Sequence, residues 1–295
     1  MRVQALDRLG TVAIVGVGLI GGSIGLALRE LGLAERVMGI GRREANLAEA
    51  VRIGAIDAAT TDLAAGVAEA DVVVICTPVT EIAEAVRIAA EHGQGDVLVT
   101  DAGSTKLRIV EAVERVPSAA RVFVGSHPIA GSERKGVTHA RADLFEGRSC
   151  VLTPTVRTPH DRLQRARSFW VDLGCRVLEL GPAEHDDVLA LTSHLPHAVA
   201  AALAATVPAE ALPMAAGAYR DGTRVAGSDA TLWAGIFREN KGPTLQALTR
   251  FQEQINAFRR AMEADDDGWI RDWWDSARGR RGLFDARNQP TVPDD

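Results

Sequence analysis

Two segments of the sequence carry polar side chains directly after candidate strands. His127 follows the run Arg121–Gly125, and Ser104 follows the run Asp96–Thr100. Because the carboxyl ends of parallel strands meet at one edge of a sheet, both side chains are predicted at the rim where α/β proteins bind ligands. Since the pKa of an imidazole lies near working pH, His127 is suited to take a proton from a substrate hydroxyl. A lone histidine in a turn is more often a structural group, but the rim position and the nearby serine favour catalysis.

A glycine-rich turn, Gly16–Gly21, connects the candidate strand Thr11–Val15 to a helical stretch. Its pattern is G-x-G-x-x-G, in which the first glycine makes a tight turn, the second admits a pyrophosphate and the third lets helix and strand pack closely. The N–H groups at the helix N-terminus favour an anion there. We therefore predict a dinucleotide site. Its predicted cofactor contacts are Gly16, Gly18, Leu19, Ile20 and Gly21, with Thr77 and Pro78 after the candidate strand Asp71–Cys76.

The end of the second candidate strand indicates which dinucleotide binds. An Asp or Glu about twenty residues beyond the glycine turn usually contacts the ribose 2′-hydroxyl of NAD. This sequence has Gly41, Arg42 and Arg43 there, with no acid at the expected position. A glycine leaves room for a 2′-phosphate and a guanidinium is its natural partner, so both arginines are predicted cofactor contacts and NADP is favoured over NAD. The alternative is that both arginines are solvated, with Glu44 partly neutralising them.

The chain alternates short β-branched runs with longer amphipathic stretches, which is typical of βαβ units. This pattern predicts an α/β Rossmann-type, doubly wound and mainly parallel sheet. The candidate strands are Thr11–Val15, Arg36–Ile40, Asp71–Cys76, Asp96–Thr100, Arg121–Gly125, Ser149–Thr153 and Arg176–Leu180. After Pro182 only helical patterns follow. We predict a dinucleotide-binding domain over residues 1–182, a helical domain over 183–285 and a flexible tail over 286–295.

Composition narrows the class of protein. The 295 residues carry 33 basic and 39 acidic side chains, a net charge of −6, so neither nucleic acid nor a membrane is expected as a partner. The three cysteines lie far apart with no CxxC spacing, which favours a reducing cytoplasm. Charged residues precede any apolar run at the N-terminus, so no signal peptide is expected.

A metal site is a weaker interpretation of the helical region. His185, His194 and His197 fall near two aspartates, which resembles a ligand set. However, the last two histidines flank a proline and no thiolate is close in sequence, so we expect no metal.

Five longer segments together resemble one known family. They are GVGLIGGSIGLAL, DAGSTK, SHPIAGSERKG, HDDVLALTSHLPH and YRDGTRVAGSDATLW, and the resemblance that they indicate runs from about Val12 to Trp274. In order and spacing the sequence is similar to the prephenate/arogenate dehydrogenases of tyrosine biosynthesis. The resemblance implies a Rossmann domain followed by a helical domain that forms a homodimer. It also implies oxidative decarboxylation of prephenate to 4-hydroxyphenylpyruvate, or of arogenate to tyrosine, with NAD(P)+ as hydride acceptor.

The resemblance also implies roles for individual residues. His127 would bond the ring hydroxyl and draw off its proton, while Ser104 would orient that hydroxyl and the imidazole. Arg224 would hold a substrate carboxylate. The remaining implied substrate-side residues are Glu133, which would help to gate the site, His197, and Arg220, which stands where some relatives have lysine.

Two other classes of protein are weighed against this hypothesis. A β-hydroxyacid-type NAD(P) dehydrogenase would use a lysine of its helical domain, yet the sequence has no lysine between Ala183 and Asn240. A non-catalytic redox sensor would keep the glycine turn but would have no need for His127, Ser104 and Arg224 together. Binding of a dinucleotide without turnover would favour the sensor.

Overall fold

A computed structural model describes residues 9–131 and 134–287, and its contacts divide the chain into two compact units, residues 1–244 and 245–295. The first unit contains a six-stranded sheet in which every neighbouring pair is parallel, in the order β3-β2-β1-β4-β5-β6. Its strands are β1 Leu9–Val15, β2 Ala34–Ile40, β3 Ala58–Thr60, β4 Val72–Ile75, β5 Leu98–Asp101 and β6 Phe123–Val124. The predicted Rossmann-type fold is thereby confirmed.

Strand β1 shows why this sheet is buried on both faces. Val12 and Ile14 belong to one hydrophobic cluster, whereas Ala13 and Val15 belong to another on the opposite face. Because successive side chains of a strand point to opposite faces, a run without polar residues needs a cover on each side. The helices of this part are α1 Leu19–Glu30, α2 Glu44–Arg52, α3 Leu63–Val67, α4 Val79–His92, α5 Leu107–Glu114, α6 Pro117–Ala120 and α7 His160–Asp172.

A second sheet of three strands departs from the predicted single sheet. Strand β7, Ser126–Pro128, pairs antiparallel with β8, Ser149–Leu152, and β8 pairs parallel with β9, Arg176–Glu179. The last two candidate strands therefore form, but not in the main sheet. Strands β3 and β7 were not predicted, because three residues are too few to show a period of two and β7 ends in a proline.

From Pro182 to Arg287 the described chain is mainly helical, as the sequence predicts. Residues Pro182–Thr206 form one apolar helical stretch with a π-helical turn, Ala190–His194, in its middle. By length and composition alone this stretch is long enough to cross a membrane, and 22% of its most apolar window is buried. Its α-helical parts are α8 Pro182–Leu189 and α9 Leu195–Thr206. The helices that follow are α10 Gly217–Thr223, α11 Ala230–Glu239, α12 Lys241–Glu263 and α13 Asp267–Arg287.

In the second unit, tryptophans join α12 to α13. Trp273 stacks on Phe258 with ring centroids 5.2 Å apart, and its indole N–H donates to Gln254 Oε1 at 3.1 Å. Helix α13 continues to Arg287, so the predicted tail begins within a helix, and residues 288–295 lie outside the described residues. The domain boundary near Pro182 stays a prediction.

Candidate active site

The turn between β1 and α1 depends on two glycines for its shape. Gly16 has a φ of +94°, and a Cβ there would lie 2.8 Å from the carbonyl oxygen of Cys76. A Cβ on Gly21 would lie 2.3 Å from the carbonyl oxygen of Gly16. Both distances are shorter than van der Waals contact, so only glycine allows the helix to start this close to the strands.

Gly18 has a different role, because a Cβ there would meet no atom within 4 Å. It lies just before α1, whose first N–H groups have no partner within the helix and carry partial positive charge. Nearby, Thr77 Oγ1 is buried without a hydrogen-bond partner among the described atoms. Open space beside a helix N-terminus and an unsatisfied hydroxyl fit the pyrophosphate of a dinucleotide.

These groups line a cavity of about 560 Å³, which lies within the first unit. The cavity brings together most of the residues that the sequence predicted for cofactor and substrate. Those that line it are Gly18, Leu19, Ile20, Gly21, Thr77, Pro78, Ser104, His127, His197 and Arg224. Residues far apart in sequence therefore share one pocket.

Other predicted residues lie elsewhere. Gly16 shapes the turn, as described above. Arg42 and Arg43 are exposed after β2, and Arg42 Nη1 lies 3.4 Å from Glu81 Oε1. Arg220 is also exposed and pairs with Asp221 at 3.3 Å. Glu133 lies outside the described residues. The roles of these side chains stay predictions.

Strand β7 presents His127 to the cavity, and its neighbour Ser126 fixes the strand. The Ser126 N–H donates to Asp101 Oδ1 at 2.9 Å, and its hydroxyl donates to the Asp101 carbonyl oxygen. Trp170 Nε1 donates to Ser126 Oγ at 3.0 Å. Because Ser126 is fully buried in these bonds, the backbone that carries His127 is held against the end of β5.

A buried ion pair fixes the loop that carries Ser104. The Lys106 ammonium donates to Asp101 Oδ2, and neither side chain is exposed. The Gly103 N–H also donates to Asp101 Oδ2 at 2.9 Å. Since removal of one partner would leave a buried charge uncompensated, the pair locks this loop at the rim. The sequence pattern placed the loop correctly but did not predict this pair.

His127 continues into a chain of hydrogen bonds behind the cavity. Its Nδ1 lies 2.9 Å from His185 Nε2, and His185 Nδ1 lies 2.8 Å from Asp186 Oδ1. Burial lowers the pKa of His127 well below 6.5, and the nearby Lys106 ammonium, together with His185 and His194 whenever they are protonated, lowers this pKa further. His127 is therefore neutral at neutral pH, as a proton acceptor must be.

His197 and Arg224 lie on the helical side of the cavity. The His197 ring stacks on Trp233 with centroids 3.7 Å apart, and its Nδ1–H donates to the Ser193 carbonyl oxygen at 2.8 Å. Burial lowers the pKa of His197, and the charge of Arg224 lowers it further. This wall therefore offers one cation and one neutral imidazole to a substrate.

Two further groups of this region were missed by sequence reasoning. At the cavity rim, the Lys135 ammonium pairs with Asp229, which also caps α11 by accepting the Leu232 N–H at 2.5 Å. An Asp before an apolar helical run is a recognisable N-cap signal, although it does not show the ion pair. Behind the cavity, Asn240 Nδ2 donates to the Asp186 carbonyl oxygen at 2.7 Å.

The histidines of the helical region do not form a metal centre in the part of the chain that the structure describes. No group of three or more His, Cys, Asp or Glu side chains is placed to hold an ion within residues 9–131 and 134–287. His194 lies 3.1 Å from Asn240 Nδ2 instead, and burial lowers its pKa to about 4.

Comparison with known proteins agrees with this geometry. Residues 24–179 match the family described as prephenate dehydrogenase, nucleotide-binding domain, and residues 181–274 match prephenate dehydrogenase, dimerization domain. A prephenate dehydrogenase of Bacillus subtilis is 33% identical over 290 residues, 96% of this chain and 78% of the relative.

Solved structures give the same result. Prephenate dehydrogenase from Aquifex aeolicus, in complex with hydroxyphenyl propionate and NAD+, superimposes with a TM-score of 0.88 at 32% identity, covering 95% of this chain and 100% of that chain. Arogenate dehydrogenase from Synechocystis has a TM-score of 0.78 at 28% identity, covering 93% and 99%. Matches across both halves of the chain, together with a cavity that joins a dinucleotide turn to His127, show that this chain belongs to the prephenate dehydrogenase family.

Proposed function

We propose that this protein catalyses the oxidative decarboxylation of prephenate or arogenate, with NAD(P)+ as the hydride acceptor, in tyrosine biosynthesis. The observation that carries the proposal is the single cavity lined by Gly18, His127 and Arg224. It joins a dinucleotide cradle, a neutral imidazole and a cation for a carboxylate. Membership of the prephenate dehydrogenase family supports the same reaction.

In this reaction the protein positions the reacting groups and moves one proton. The dinucleotide supplies the acceptor for the hydride that leaves the ring carbon bearing the hydroxyl. His127 takes the hydroxyl proton, and Ser104 orients the hydroxyl toward the imidazole. After carbon dioxide has left, the imidazolium returns this proton to the phenolate oxygen of the product. Loss of carbon dioxide makes the ring aromatic, so the step has a large driving force. Positioning of the reactants contributes about 7–11 kcal/mol in well-oriented systems.

The substrate carries carboxylates, whereas the chain has a net charge of −6. Cationic side chains in the cavity, and not the overall charge of the chain, would therefore bind them. Arg224 is proposed to hold the side-chain carboxylate through charge-assisted hydrogen bonds, with His197 beside it. Arg220 and Glu133 are proposed as further substrate-side residues, with Glu133 gating the site.

Replacement of Arg224 by alanine is expected to raise KM about 10- to 100-fold, since a hydrogen bond to a charged group contributes about 1.5–3 kcal/mol. The kcat is expected to change little, because the carboxylate is bound equally in the ground state and the transition state. Steady-state kinetics check this, with the exposed Arg121→Ala as the control. An unchanged KM would remove Arg224 from the substrate site.

We further propose that the cofactor is NADP+. The support is the absence of an acidic side chain at Gly41, Arg42 and Arg43 after β2, and the exposure of both guanidinium groups toward solvent. A 2′-phosphate would pair with these arginines, whereas the unmodified ribose of NAD+ would gain nothing from them.

One assay tests the reaction and the cofactor together. Purified protein is given prephenate or arogenate in combination with NAD+ or NADP+, and reduction of the dinucleotide is followed by absorbance. We expect turnover, with a higher kcat/KM for NADP+ than for NAD+. A lack of turnover in all four combinations would refute the dehydrogenase proposal, and a preference for NAD+ would refute the cofactor assignment.

We also propose a cytoplasmic homodimer formed by the helical region after Pro182. The support is the match of residues 181–274 to a dimerization domain and the exposed apolar side chains of this region. Leu191, Leu203 and Met214 are among them. Burial of such side chains against a second copy would remove them from water.

A further inference from the structure

The ring of His127 is the first of three groups in a line. His185 and Asp186 stand behind it, and both are almost completely buried at 0% and 2% exposure. Neither lines the cavity, so neither touches the substrate directly. We propose that Asp186 and His185 are positioning residues that keep the proton of neutral His127 on Nδ1 and leave Nε2 as the acceptor of the substrate proton. This inference rests on the proposed function.

The order of donors and acceptors starts at Asp186. Its Oδ1 accepts the Lys106 N–H at 2.8 Å, and its Oδ2 accepts the Leu107 N–H at 3.0 Å. These N–H groups belong to the start of α5, where the helix dipole favours a negative charge. Since an ionised carboxylate accepts only, the hydrogen of the His185–Asp186 bond belongs to His185 Nδ1.

The remaining assignments follow from the chemistry of neutral imidazole, which has one donor nitrogen and one acceptor nitrogen. His185 donates through Nδ1, so its Nε2 accepts, and the hydrogen of the 2.9 Å contact belongs to His127 Nδ1. The lone pair of His127 therefore lies on Nε2. Burial lowers the pKa of both histidines, which keeps both rings neutral before the reaction.

The same chain is suited to the state after proton transfer. When the substrate O–H bond breaks and an Nε2–H bond forms, His127 becomes a cation that donates through Nδ1 to His185. Asp186, at the far end, is the nearest anion along this line and stabilises that charge. The buried ammonium of Lys106 opposes it, but Asp101 pairs with this ammonium. The arrangement follows the principle of the Ser-His-Asp triad, in which a buried carboxylate fixes a histidine tautomer.

The tautomer is measured directly by NMR of protein labelled with ¹⁵N-histidine, in which the two-bond couplings distinguish a protonated nitrogen from one with a lone pair. The sequence has seven histidines, and the His127→Asn spectrum identifies the signals of residue 127 by their loss. We expect the Nδ1–H form at His127 in the wild type and a shift to the Nε2–H form in His185→Leu. An Nε2–H form in the wild type would overturn the proposal.

Kinetics test whether the tautomer matters for the reaction. His185→Leu is expected to lower kcat about 10- to 100-fold, with KM within about twofold, because the substrate still binds but meets the wrong nitrogen. His185→Gln, whose amide can donate to Asp186 and accept from His127, is expected to regain most of the rate. Equal losses in both variants would indicate a packing role and overturn the proposal, as would a wild-type kcat in His185→Leu.

A control variant and a second variant at position 185 allow the tests to distinguish a tautomer effect from a folding defect. The exposed His92 provides a matched control, and His92→Gln is expected to leave the spectrum of His127 and the kinetics unchanged. If His185→Leu does not fold, the wild-type NMR spectrum and the kinetics of His185→Gln still test which nitrogen of His127 carries the proton and whether this matters for the rate. If the wild type oxidises neither prephenate nor arogenate, the proposed function fails, whereas the NMR result reports on the hydrogen-bond chain separately.

Discussion

His127→Asn is expected to lower kcat about 10²- to 10⁴-fold, the usual contribution of a positioned general base. Asparagine keeps a polar side chain of similar reach near His185 but cannot take up the substrate proton. The glycine turn and Arg224 remain intact, so KM and dinucleotide binding are expected to stay within a few fold of the wild type. Stopped-flow and steady-state absorbance of the reduced dinucleotide measure this change.

The pH dependence of the wild type gives a second check on the same residue. Since burial holds the pKa of His127 well below 6.5, the ring stays neutral from pH 8 down to 6.5. We therefore expect kcat to stay level over this range and to fall only in more acidic solution, where the imidazole becomes protonated. A kcat that halves near pH 6.5, or an unchanged kcat in His127→Asn, would show that another group accepts the proton.

Gly18→Val is expected to weaken dinucleotide binding by about 10²-fold or more, while the melting temperature stays near that of the wild type. The side chain would enter open space where the pyrophosphate is proposed to lie, and it would separate the anion from the first N–H groups of α1. Loss of two charge-assisted hydrogen bonds at about 1.5–3 kcal/mol each accounts for a change of this size. Titration of NADPH fluorescence measures the Kd.

Two other glycines make this test specific. Gly95→Val is the matched control, since a Cβ there also meets no atom within 4 Å and the residue is exposed far from the turn in sequence. Gly21→Val is the opposite case, because its Cβ would collide with the Gly16 carbonyl oxygen, and we expect it to lower both the melting temperature and cofactor binding. If Gly18→Val bound NADPH as tightly as Gly95→Val, the dinucleotide would have to lie elsewhere.

The sequence predicted those parts of the site that local patterns specify. The glycine turn and the strand before it are contiguous, so their chemistry is visible in a few residues. His127 was predicted because it follows a strand, even though the strand that carries it, β7, was missed. In contrast, the bond between His127 and His185 joins residues 58 positions apart, and the Leu107–Asp186 bond spans 79 positions. Such contacts depend on how α8 packs against β7 and α5, which no local pattern shows.

Burial was the other property that the sequence could not supply. Asp101 and Lys106 are only five residues apart, and charged residues in a loop are ordinarily exposed. The structure places both inside, where they brace the Ser104 loop. The fold class could be predicted without knowing which charged side chains are buried. Alternating apolar runs and amphipathic stretches specify the layers of helices and strands, but not which side chains bond to each other. This difference explains why the architecture was predicted better than the hydrogen-bond network.

The π-helical turn at Ala190–His194 changes the direction in which side chains after the turn point around the helix axis, relative to side chains before it. His185 and His197 are twelve residues apart, and at about 100° per residue a regular α-helix would place them roughly 120° apart around its axis. A π turn absorbs one extra residue, which brings this angle to about 20°. Both imidazoles therefore lie on one side of this helical stretch, with His197 in the wall of the cavity and His185 behind His127. The number of residues between them, and not only their identity, is part of what makes this pocket.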